Sequence, residues 1–479
     1  MTSSLKNQAT KGMFWALGER FATQGTLFVV SLILARLLSP NDYGQVSLLL
    51  VFITLADVFV TNGISEAIIQ KKDPSDEDYF SLLLCGLLLS IFLYLAIYFC
   101  APIIAHLYKN NDMILLLRIL AMRIPLSSLN AIQKAFISKN FLFQRQFIGS
   151  FFGSLVSGAI AIFAAYNGFG VYSLIVQQLL SVLLTTLFLS YLLKWNPICK
   201  FSYNACKELL PLGMQFSFAS FINVLYDQFR SLLIGIFYTP SDLALFNKGN
   251  QFPSLIIGNL SVPICNVFLP VIVEVRSCKD RLRKVFSNAI QITSYVTFPF
   301  MSYMFLTAPE LVEFLLGSQW SGCVPFLRLG CLFFSFQPLQ SINWQVLKGL
   351  GQGTLCFSLE IIKKVIGFTL VILSIPYGVG AIALSSTLFG CISMIINMIP
   401  NKEFANYSVL DQIKDICMPL IVSVCAGFPL IIYHWVNFHG LCFLASSFLL
   451  YFISFLLVSK VLNVYPFLYL VKYIKKQIK

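Results

Sequence analysis

The chain of 479 residues has few charged side chains: Asp, Glu, Lys and Arg together make up 11% of it. Soluble globular domains carry roughly 25%. Hydrophobic residues account for 58% of the chain, and the mean hydropathy is +0.81. So little charge cannot cover a water-exposed surface, which excludes an ordinary soluble domain. The composition predicts an integral membrane protein.

The sequence patterns of several enzyme and cofactor classes are also missing. None of the 13 cysteines forms a C-x-x-C pair, and the three histidines lack metal-ligand spacing. The chain has no G-x-x-x-x-G-K-[ST] loop, no H-E-x-x-H, no EF-hand loop and no arrangement that suggests a Ser-His-Asp triad. We therefore predict no catalytic residues, no metal and no cofactor. Any pumping would then use an ion gradient, with H⁺ or Na⁺ as the coupling ion.

Long apolar runs divide the chain into fourteen predicted membrane spans. About 20 apolar residues cross the ~30 Å hydrocarbon layer as a helix. Runs of this length indicate helices, whereas a barrel would show alternating segments of about 10 residues. The predicted spans are 13–38, 43–63, 79–105, 112–137, 146–166, 169–193, 208–238, 243–273, 284–307, 321–347, 354–376, 378–400, 413–435 and 438–462. The predicted fold is an all-α multi-pass membrane protein.

Basic residues are distributed very unevenly over the connections between these spans. With the N-terminus in the cytoplasm, nearly all of them, Lys134 included, fall on the cytoplasmic side, and the opposite face keeps essentially Lys109. The positive-inside rule then predicts that both termini lie in the cytoplasm. Because the net charge of +13 lines one membrane face, we predict no nucleic-acid partner.

The chain is internally duplicated. The pattern Ser39-Pro40-Asn41-Asp42 recurs 200 residues later as Thr239-Pro240-Ser241-Asp242. Further pairs at offsets of 207 to 213 are Ala101-Pro102 with Ala308-Pro309, Arg118 with Arg328, Pro125 with Pro338, Asn130 with Asn343, and Gly168 with Gly378. Six spans per half is an even number, so the two repeats are parallel. We predict six-helix lobes at 1–203 and 204–400, followed by two additional helices and a basic tail at 401–479.

Several ionisable side chains fall inside predicted spans, where they are costly unless they pair or face water. The primary candidates for a binding site are Glu19, Arg20, Arg123, Asp227, Arg230 and Lys248, and the secondary candidates are Asp57, Glu360, Lys363 and Lys364. Asp227 and Arg230 share a helix face, so they either neutralise each other or line a cavity. Arg118 and Arg328 lie near outer helix ends and fit side chains that snorkel to the interface. A duplicated transporter places its substrate between its lobes, so we expect the cavity there.

Four segments resemble the polysaccharide transporter family, which includes Wzx-type flippases and exporters of lipopolysaccharide, capsule and teichuronic acid. This family belongs to the MOP superfamily, together with the MATE drug exporters. The segments are residues 35–44, 62–70, 316–320 and 359–364. One departure is Leu243-Ala244-Leu245-Phe246-Asn247, where relatives usually read leucine-glycine-tyrosine-tyrosine-asparagine.

The resemblance implies a MATE-like fold of two lobes, a location in the bacterial cytoplasmic (inner) membrane, and export of undecaprenyl-diphosphate-linked oligosaccharide repeat units by alternating access. It also implies a cationic cavity, an ion gradient as the energy source, and membrane lipids as a partner. A polysaccharide polymerase and its chain-length machinery are the implied protein partners.

Three functions are open at this point. A flippase for lipid-linked oligosaccharides agrees best with the embedded bases Arg20, Arg123, Arg230 and Lys248, which suit a diphosphate headgroup. A cation-coupled multidrug or small-solute antiporter would be expected to have an acidic cavity with few bases. A membrane-bound polysaccharide polymerase or ligase would need a large outer loop or a catalytic constellation, and the predicted outer loops are short.

Overall fold

The computed structural model describes residues 3–194, 200–433 and 440–469. These residues form helices joined by short connections, and no strand occurs within the described ranges. The chain divides into two compact units, Met1–Ala244 and Leu245–Lys479, called here the first and the second unit. The lobes predicted at 1–203 and 204–400 follow the sequence duplication. They stay a prediction, as do the two additional helices and basic tail predicted at 401–479.

Among the described residues of the first unit, nine helices begin, and the last of them continues into the second unit. They are α1 (Ser3–Leu37), α2 (Pro40–Gln70), α3 (Asp76–Leu107), α4 (Met113–Ala121), α5 (Arg123–Lys139), α6 (Phe143–Tyr166), α7 (Val171–Leu193), α8 (Tyr203–Phe237) and α9 (Pro240–Val275). The second unit continues with α10 (Lys279–Leu306), α11 (Ala308–Leu315), α12 (Val324–Gly349), α13 (Gly353–Ser374), α14 (Val379–Met398), α15 (Asn401–Ala405), α16 (Val409–Cys425), α17 (Phe428–Tyr433) and α18 (Gly440–Val461). Short 3₁₀ helices occur at Ser318–Cys323 and Ile375–Tyr377.

Helices occur at all fourteen predicted span positions. Within the described residues, twelve helical segments are long and apolar enough to cross a membrane. The remaining two positions are α10, with 28 residues, and α13, with 22 residues. Both have sufficient length, but α10 is rich in polar residues and α13 carries Glu360, Lys363 and Lys364. The all-helical, multi-pass character is confirmed, whereas the count of fourteen spans stays a prediction.

The duplicated [ST]-P-x-D patterns both start helices. Ser39 Oγ accepts a hydrogen bond from Asp42 N at 3.3 Å, and Asp42 Oδ2 accepts from Ser39 N at 3.1 Å. Thr239 and Asp242 repeat this arrangement at 3.2 and 3.1 Å. Proline follows at the first helical position, where its missing N–H costs nothing. Each pattern is therefore a capping box that begins α2 or α9.

A second duplicated feature is an arginine that donates a hydrogen bond to a backbone carbonyl whose usual donor is replaced by proline. Pro102 lies inside α3 and has no N–H to donate to the carbonyl of Tyr98, four residues earlier. Arg118 supplies the replacement: its Nε donates to Tyr98 O at 3.4 Å, and its guanidinium carbon lies 4.1 Å from the centre of the Tyr98 ring. This contact gives Arg118 a defined structural role, which the snorkelling interpretation had not included.

The second unit repeats this arrangement with its own residues. Pro309 cannot donate to Phe305 O, and Arg328 Nε donates to that carbonyl at 3.3 Å. The guanidinium carbon of Arg328 lies 5.6 Å from the centre of the Phe305 ring. Tyr98 and Phe305 differ by the same offset of 207 as the two Ala-Pro pairs. The sequence repeat therefore preserves a side-chain contact.

The fourth predicted span consists of two helices, α4 and α5, and Met122 separates them. Pro125 accounts for the break, because it cannot donate to the carbonyl of Ala121. Arg123 is the first residue of α5. The break thus lies next to one of the predicted site residues.

Helices α2 and α5 pack side by side and run in the same direction. Asp57 meets Arg123 near the middle of α2, and further along both helices Ser65 Oγ donates to Ala131 O at 3.0 Å. The contacts therefore follow the same order along both helices. The predicted topology requires this direction for the second and fourth spans.

Helix α8 crosses α2 in the opposite direction and at very short range. A Cβ atom at Gly63 would lie less than 3.0 Å from the carbonyl oxygen of Gly213 and from Ser217 Oγ. Only glycine lets the two backbones approach this closely. This crossing holds α8 against α2 at Gly63.

A carboxylate in the second unit joins α10 to α16. Asp415 Oδ2 accepts from Ser287 Oγ at 2.6 Å, and Oδ1 accepts from Gln291 Nε2 at 2.7 Å. The hydroxyl of Tyr407, which lies between membrane-spanning segments, also donates to Asp415. Burial, with the Asp415 carboxylate beside it, raises the pKa of Tyr407, so the phenol remains a donor. Three neutral donors therefore stabilise this charge.

Candidate functional site

A cavity of about 650 Å³ lies among α2, α5, α7 and α8 of the first unit. Small-molecule pockets typically have about 300–1,000 Å³. The polar lining residues recur every third or fourth position, so each set occupies one helix face. They are Thr54, Asp57, Thr61 and Ser65 on α2, and Arg123, Ser127, Asn130 and Lys134 on α5. The cavity is a polar groove that follows the length of two parallel helices.

Five ionisable side chains line this cavity, and acids outnumber bases. The acids are Asp57, Glu66 and Asp227, and the bases are Arg123 and Lys134. The formal charge of the lining is therefore −1. A cavity dominated by bases, which the sequence suggested, is not what these residues form.

The central contact of the cavity is a loose ion pair between α2 and α5. Arg123 Nε lies 3.5 Å from Asp57 Oδ2, and the two side chains are 23% and 12% exposed. Arg123 Nη1 donates to Gln178 Oε1 of α7 at 3.0 Å. Within the described ranges, neither Arg123 Nε nor Asp57 Oδ1 has a hydrogen-bond partner. The charges are close, but the directional bonds that make such pairs strong are incomplete.

Helix α7 is held along α5 by a second polar contact. Gln133 Nε2 donates to Ser190 Oγ at 2.7 Å and to Thr186 O at 3.2 Å. Together with the Arg123–Gln178 bond, this contact fixes α7 parallel to α5. The two contacts thus join α5 to α7 at Arg123 and again ten residues further along α5.

The cavity has a deep end and a shallow end. Lys134 lies eleven residues beyond Arg123, about 16 Å along α5. Glu66 lies nine residues beyond Asp57, about 14 Å along α2. Both shallow-end side chains are exposed, whereas Asp57 is buried. In the predicted orientation the shallow end faces the cytoplasm.

Sequence reasoning missed Lys134 and Glu66 as site residues. It counted Lys134 among the cytoplasmic connections, but the structure places this lysine inside α5 on the face of Arg123. The spacing from Arg123 through Ser127 and Asn130 to Lys134 repeats at four, three and four residues. That helical periodicity was visible in the sequence and marks the face.

The other predicted residues of the first unit lie near the cavity or within it. Asp227 lines it from α8. Glu19 and Arg20 are half-buried on α1, and Glu19 lies beside Ser150 of α6 and within electrostatic range of Lys134. Arg230 is half-buried, with its guanidinium carbon 5.7 Å from the centre of the Tyr226 ring. Arg123, Asp57 and Asp227 are the predicted residues that this cavity brings together.

Predicted residues of the second unit make contacts within that unit. Lys248 is 5% exposed, and its Nζ lies 5.9 Å from the centre of the Trp320 ring. Lys363 Nζ lies 2.5 Å from Glu360 Oε1 and 4.8 Å from the centre of the Trp344 ring. The pairing of Glu360 therefore uses the lysine three residues on, and Lys364 is half-buried. Their part in a binding site stays a prediction.

The charged cavity has no charged counterpart at the equivalent positions of the second unit. The repeat offsets of 200 and 213 map Asp57 onto Ile257, Arg123 onto Phe336 and Lys134 onto Leu347. Ile257 and Leu347 are fully buried, and Phe336 packs against a hydrophobic core cluster. The ionic groups at these positions are therefore a property of the first unit alone.

These features define a multi-pass membrane protein with a charged cavity inside a helical bundle, as in a transporter. The chain matches the model of the polysaccharide biosynthesis protein family over residues 33–325, more than half of its length, and belongs to that family. The resemblance to the polysaccharide transporter family is thus confirmed.

Named relatives agree with this assignment. The succinoglycan biosynthesis transport protein ExoT of Rhizobium meliloti is 24% identical over 74% of this chain and 72% of its own length. The lipopolysaccharide biosynthesis protein WzxC of Escherichia coli is 20% identical over 88% of this chain and 86% of its own length.

Two solved structures share the fold. The lipid II flippase MurJ, in an inward closed conformation, superposes with a TM-score of 0.74 at 16% identity, covering 94% of this chain and 98% of that one. An inward-facing MATE family transporter of the MOP superfamily gives a TM-score of 0.60 at 17% identity, covering 84% and 98%. Identities this low show the fold alone, which is MATE-like as predicted.

Proposed function

We propose that this protein is a flippase that moves undecaprenyl-diphosphate-linked oligosaccharide units across the bacterial cytoplasmic membrane by alternating access. The flipped units would serve the synthesis of a surface polysaccharide such as O-antigen, capsule or exopolysaccharide. The observation that carries the proposal is the charged cavity, bounded by Asp57 and Arg123 at its deep end and by Glu66 and Lys134 at its shallow end. Membership in the polysaccharide biosynthesis family supports it.

The chemistry of the cavity suits such a substrate. A sugar diphosphate cannot enter hydrocarbon because burying unpaired charge and hydroxyls is very costly. Lys134 offers a cationic donor to phosphate oxygens, and Arg123 offers one to phosphate or sugar oxygens. Their separation of about 16 Å along α5 leaves room for sugars as well as phosphates. The embedded carboxylates Asp57, Glu66 and Asp227 are the candidates for binding a coupling ion, H⁺ or Na⁺.

This function also assigns the partners. Lipid-linked oligosaccharide enters from the cytoplasmic leaflet, membrane lipids surround the spans, and a polysaccharide polymerase with its chain-length machinery would use the flipped unit. No catalytic step is assigned to the protein itself.

A cation-coupled multidrug or small-solute antiporter is the second candidate. Three of the five ionisable lining side chains are acidic, which suits a cationic solute. The two functions differ in the cargo that crosses the membrane, so one reconstitution distinguishes them.

The test is transport by the purified protein in proteoliposomes. A fluorescent undecaprenyl-diphosphate sugar should move between leaflets, and Arg123→Gln and Lys134→Met should slow it at least tenfold. Lys72→Met, which alters an exposed lysine outside the cavity lining, should transport normally. Ion-driven transport of ethidium with no movement of the lipid would identify the antiporter instead.

A further inference from the structure

Three buried polar atoms that belong to cavity-lining residues have no hydrogen-bond partner within the described part of the chain. They are Asp57 Oδ1, Arg123 Nε and Asn130 Nδ2. Asp57 and Asn130 are 8% and 7% exposed. More than about 90% of buried polar groups in native proteins are satisfied. A concentration of unsatisfied groups in the lining of one cavity indicates a ligand that completes them.

The three atoms require a ligand that both donates and accepts. Asp57 Oδ1 can only accept, whereas Arg123 Nε and Asn130 Nδ2 can only donate. A phosphate group has acceptor oxygens alone, and its charge would repel the Asp57 carboxylate. A hydroxyl donates one hydrogen bond and accepts others. The part of the cavity from Arg123 to Asn130 therefore matches hydroxyl groups.

The spacing of the donors requires more than one hydroxyl. Arg123 and Asn130 lie seven residues apart on one face of α5, about 10 Å along its axis. A single hydroxyl cannot reach both positions. A sugar ring, or two linked rings, presents hydroxyls over this distance.

The shallow end has a different character. Lys134 is exposed to the cavity, and a lysine ammonium binds phosphate as a mobile point charge. It lies about 16 Å from Arg123 along α5. A lipid diphosphate that stays near the membrane surface would meet Lys134 first, with its sugar extended inward.

We infer that Asp57, Arg123 and Asn130 form a saccharide subsite for the sugar nearest the diphosphate, while Lys134 contacts the phosphates. This inference rests on the proposed flippase function and adds the orientation of the substrate. Asp57 is then a specificity-determining residue that selects sugar-bearing lipid over bare lipid diphosphate.

The test compares two probes: undecaprenyl diphosphate without sugar, and the same lipid carrying one hexose. Binding to the full-length protein in nanodiscs is measured by microscale thermophoresis. The wild type should bind the hexose lipid about tenfold more tightly, because a site built to bond hydroxyls rejects the analogue that lacks them.

Substitutions that keep side-chain size distinguish the role of the saccharide subsite from the role of Lys134. Asp57→Asn and Asn130→Leu should each remove most of this tenfold preference while the affinity for the sugar-free lipid is unchanged. Lys134→Met should weaken both probes by the same factor. Lys72→Met is the matched control, and the elution profile on size-exclusion chromatography shows that each variant is folded. Asn130→Leu remains informative if Asp57→Asn fails this check.

Equal affinity of the wild type for both lipids would overturn the saccharide subsite, and so would equal losses for both probes in Asp57→Asn and Asn130→Leu. Either result leaves the flippase function intact. Failure of the wild type to bind either lipid would instead contradict the proposed function.

Discussion

The duplicated arginine–proline arrangement leads to a quantitative prediction. Pro102 leaves the Tyr98 carbonyl without its helical donor, and Arg118 Nε bonds that carbonyl at 3.4 Å. Arg118→Met removes the donor but keeps the apolar stem. Pro102→Ala supplies a backbone N–H to the same carbonyl. The two substitutions should therefore compensate each other.

The expected magnitudes follow from the two contacts of the guanidinium. Loss of a hydrogen bond from a charged group costs about 1.5–3 kcal/mol, and loss of the contact with the Tyr98 ring costs about 0.5–1 kcal/mol. In the Pro102→Ala background only the second loss applies, since the new backbone N–H of the alanine bonds Tyr98 O. The coupling free energy in the double-mutant cycle should therefore equal the hydrogen-bond contribution, about 1.5–3 kcal/mol.

The assay is reversible unfolding in mixed micelles by titration with sodium dodecyl sulfate, which gives the free energy of unfolding for each variant. Pro211, a proline inside α8, is the control: Pro211→Ala should be additive with Arg118→Met. Additivity of Pro102→Ala with Arg118→Met would refute the reasoning.

Two further predictions concern packing and the network in the second unit. Gly63→Ala should destabilise the protein by about 1–3 kcal/mol, because its Cβ would lie less than 3.0 Å from the α8 backbone. Gly25→Ala, inside α1 with nothing within 4 Å of the added Cβ, should not destabilise the protein in the same unfolding assay. Tyr407→Phe should cost about 1–3 kcal/mol, because it removes one of three donors to Asp415, whereas Tyr377→Phe at an 80% exposed position should change nothing. Equal stability of either test variant and its control would contradict the corresponding contact.

Much of the fold could be predicted from the sequence. Apolar length placed a helix at every predicted span, and proline and the capping pattern marked helix starts at Pro40 and Pro240. The break at Met122 was missed, although Pro125 carries its cause. The count of spans could not be fixed by hydropathy because α10 and α13 mix polar or charged residues with apolar ones.

The site was less accessible to sequence reasoning. The cost of placing charged side chains inside the membrane identified Asp57 and Arg123 as candidates. Their contact could not be predicted, because the two residues are 66 positions apart and meet only through the packing of α2 on α5. Lys134 was counted only toward the positive-inside rule, which a lysine near a helix end satisfies whether or not it lines a cavity. The packing of α2 on α5 shows that the face of α5 with Arg123 and Lys134 lines one.

The central claim is that the first-unit cavity carries the headgroup of a lipid-linked saccharide. The most direct measurement is the rate at which a fluorescent undecaprenyl-diphosphate hexose becomes accessible to a membrane-impermeant quencher in proteoliposomes, compared between wild type, Arg123→Gln and Lys72→Met. The account predicts rapid flipping by the wild type and Lys72→Met, and a rate at least tenfold lower for Arg123→Gln. Flipping by Arg123→Gln at the wild-type rate would contradict it.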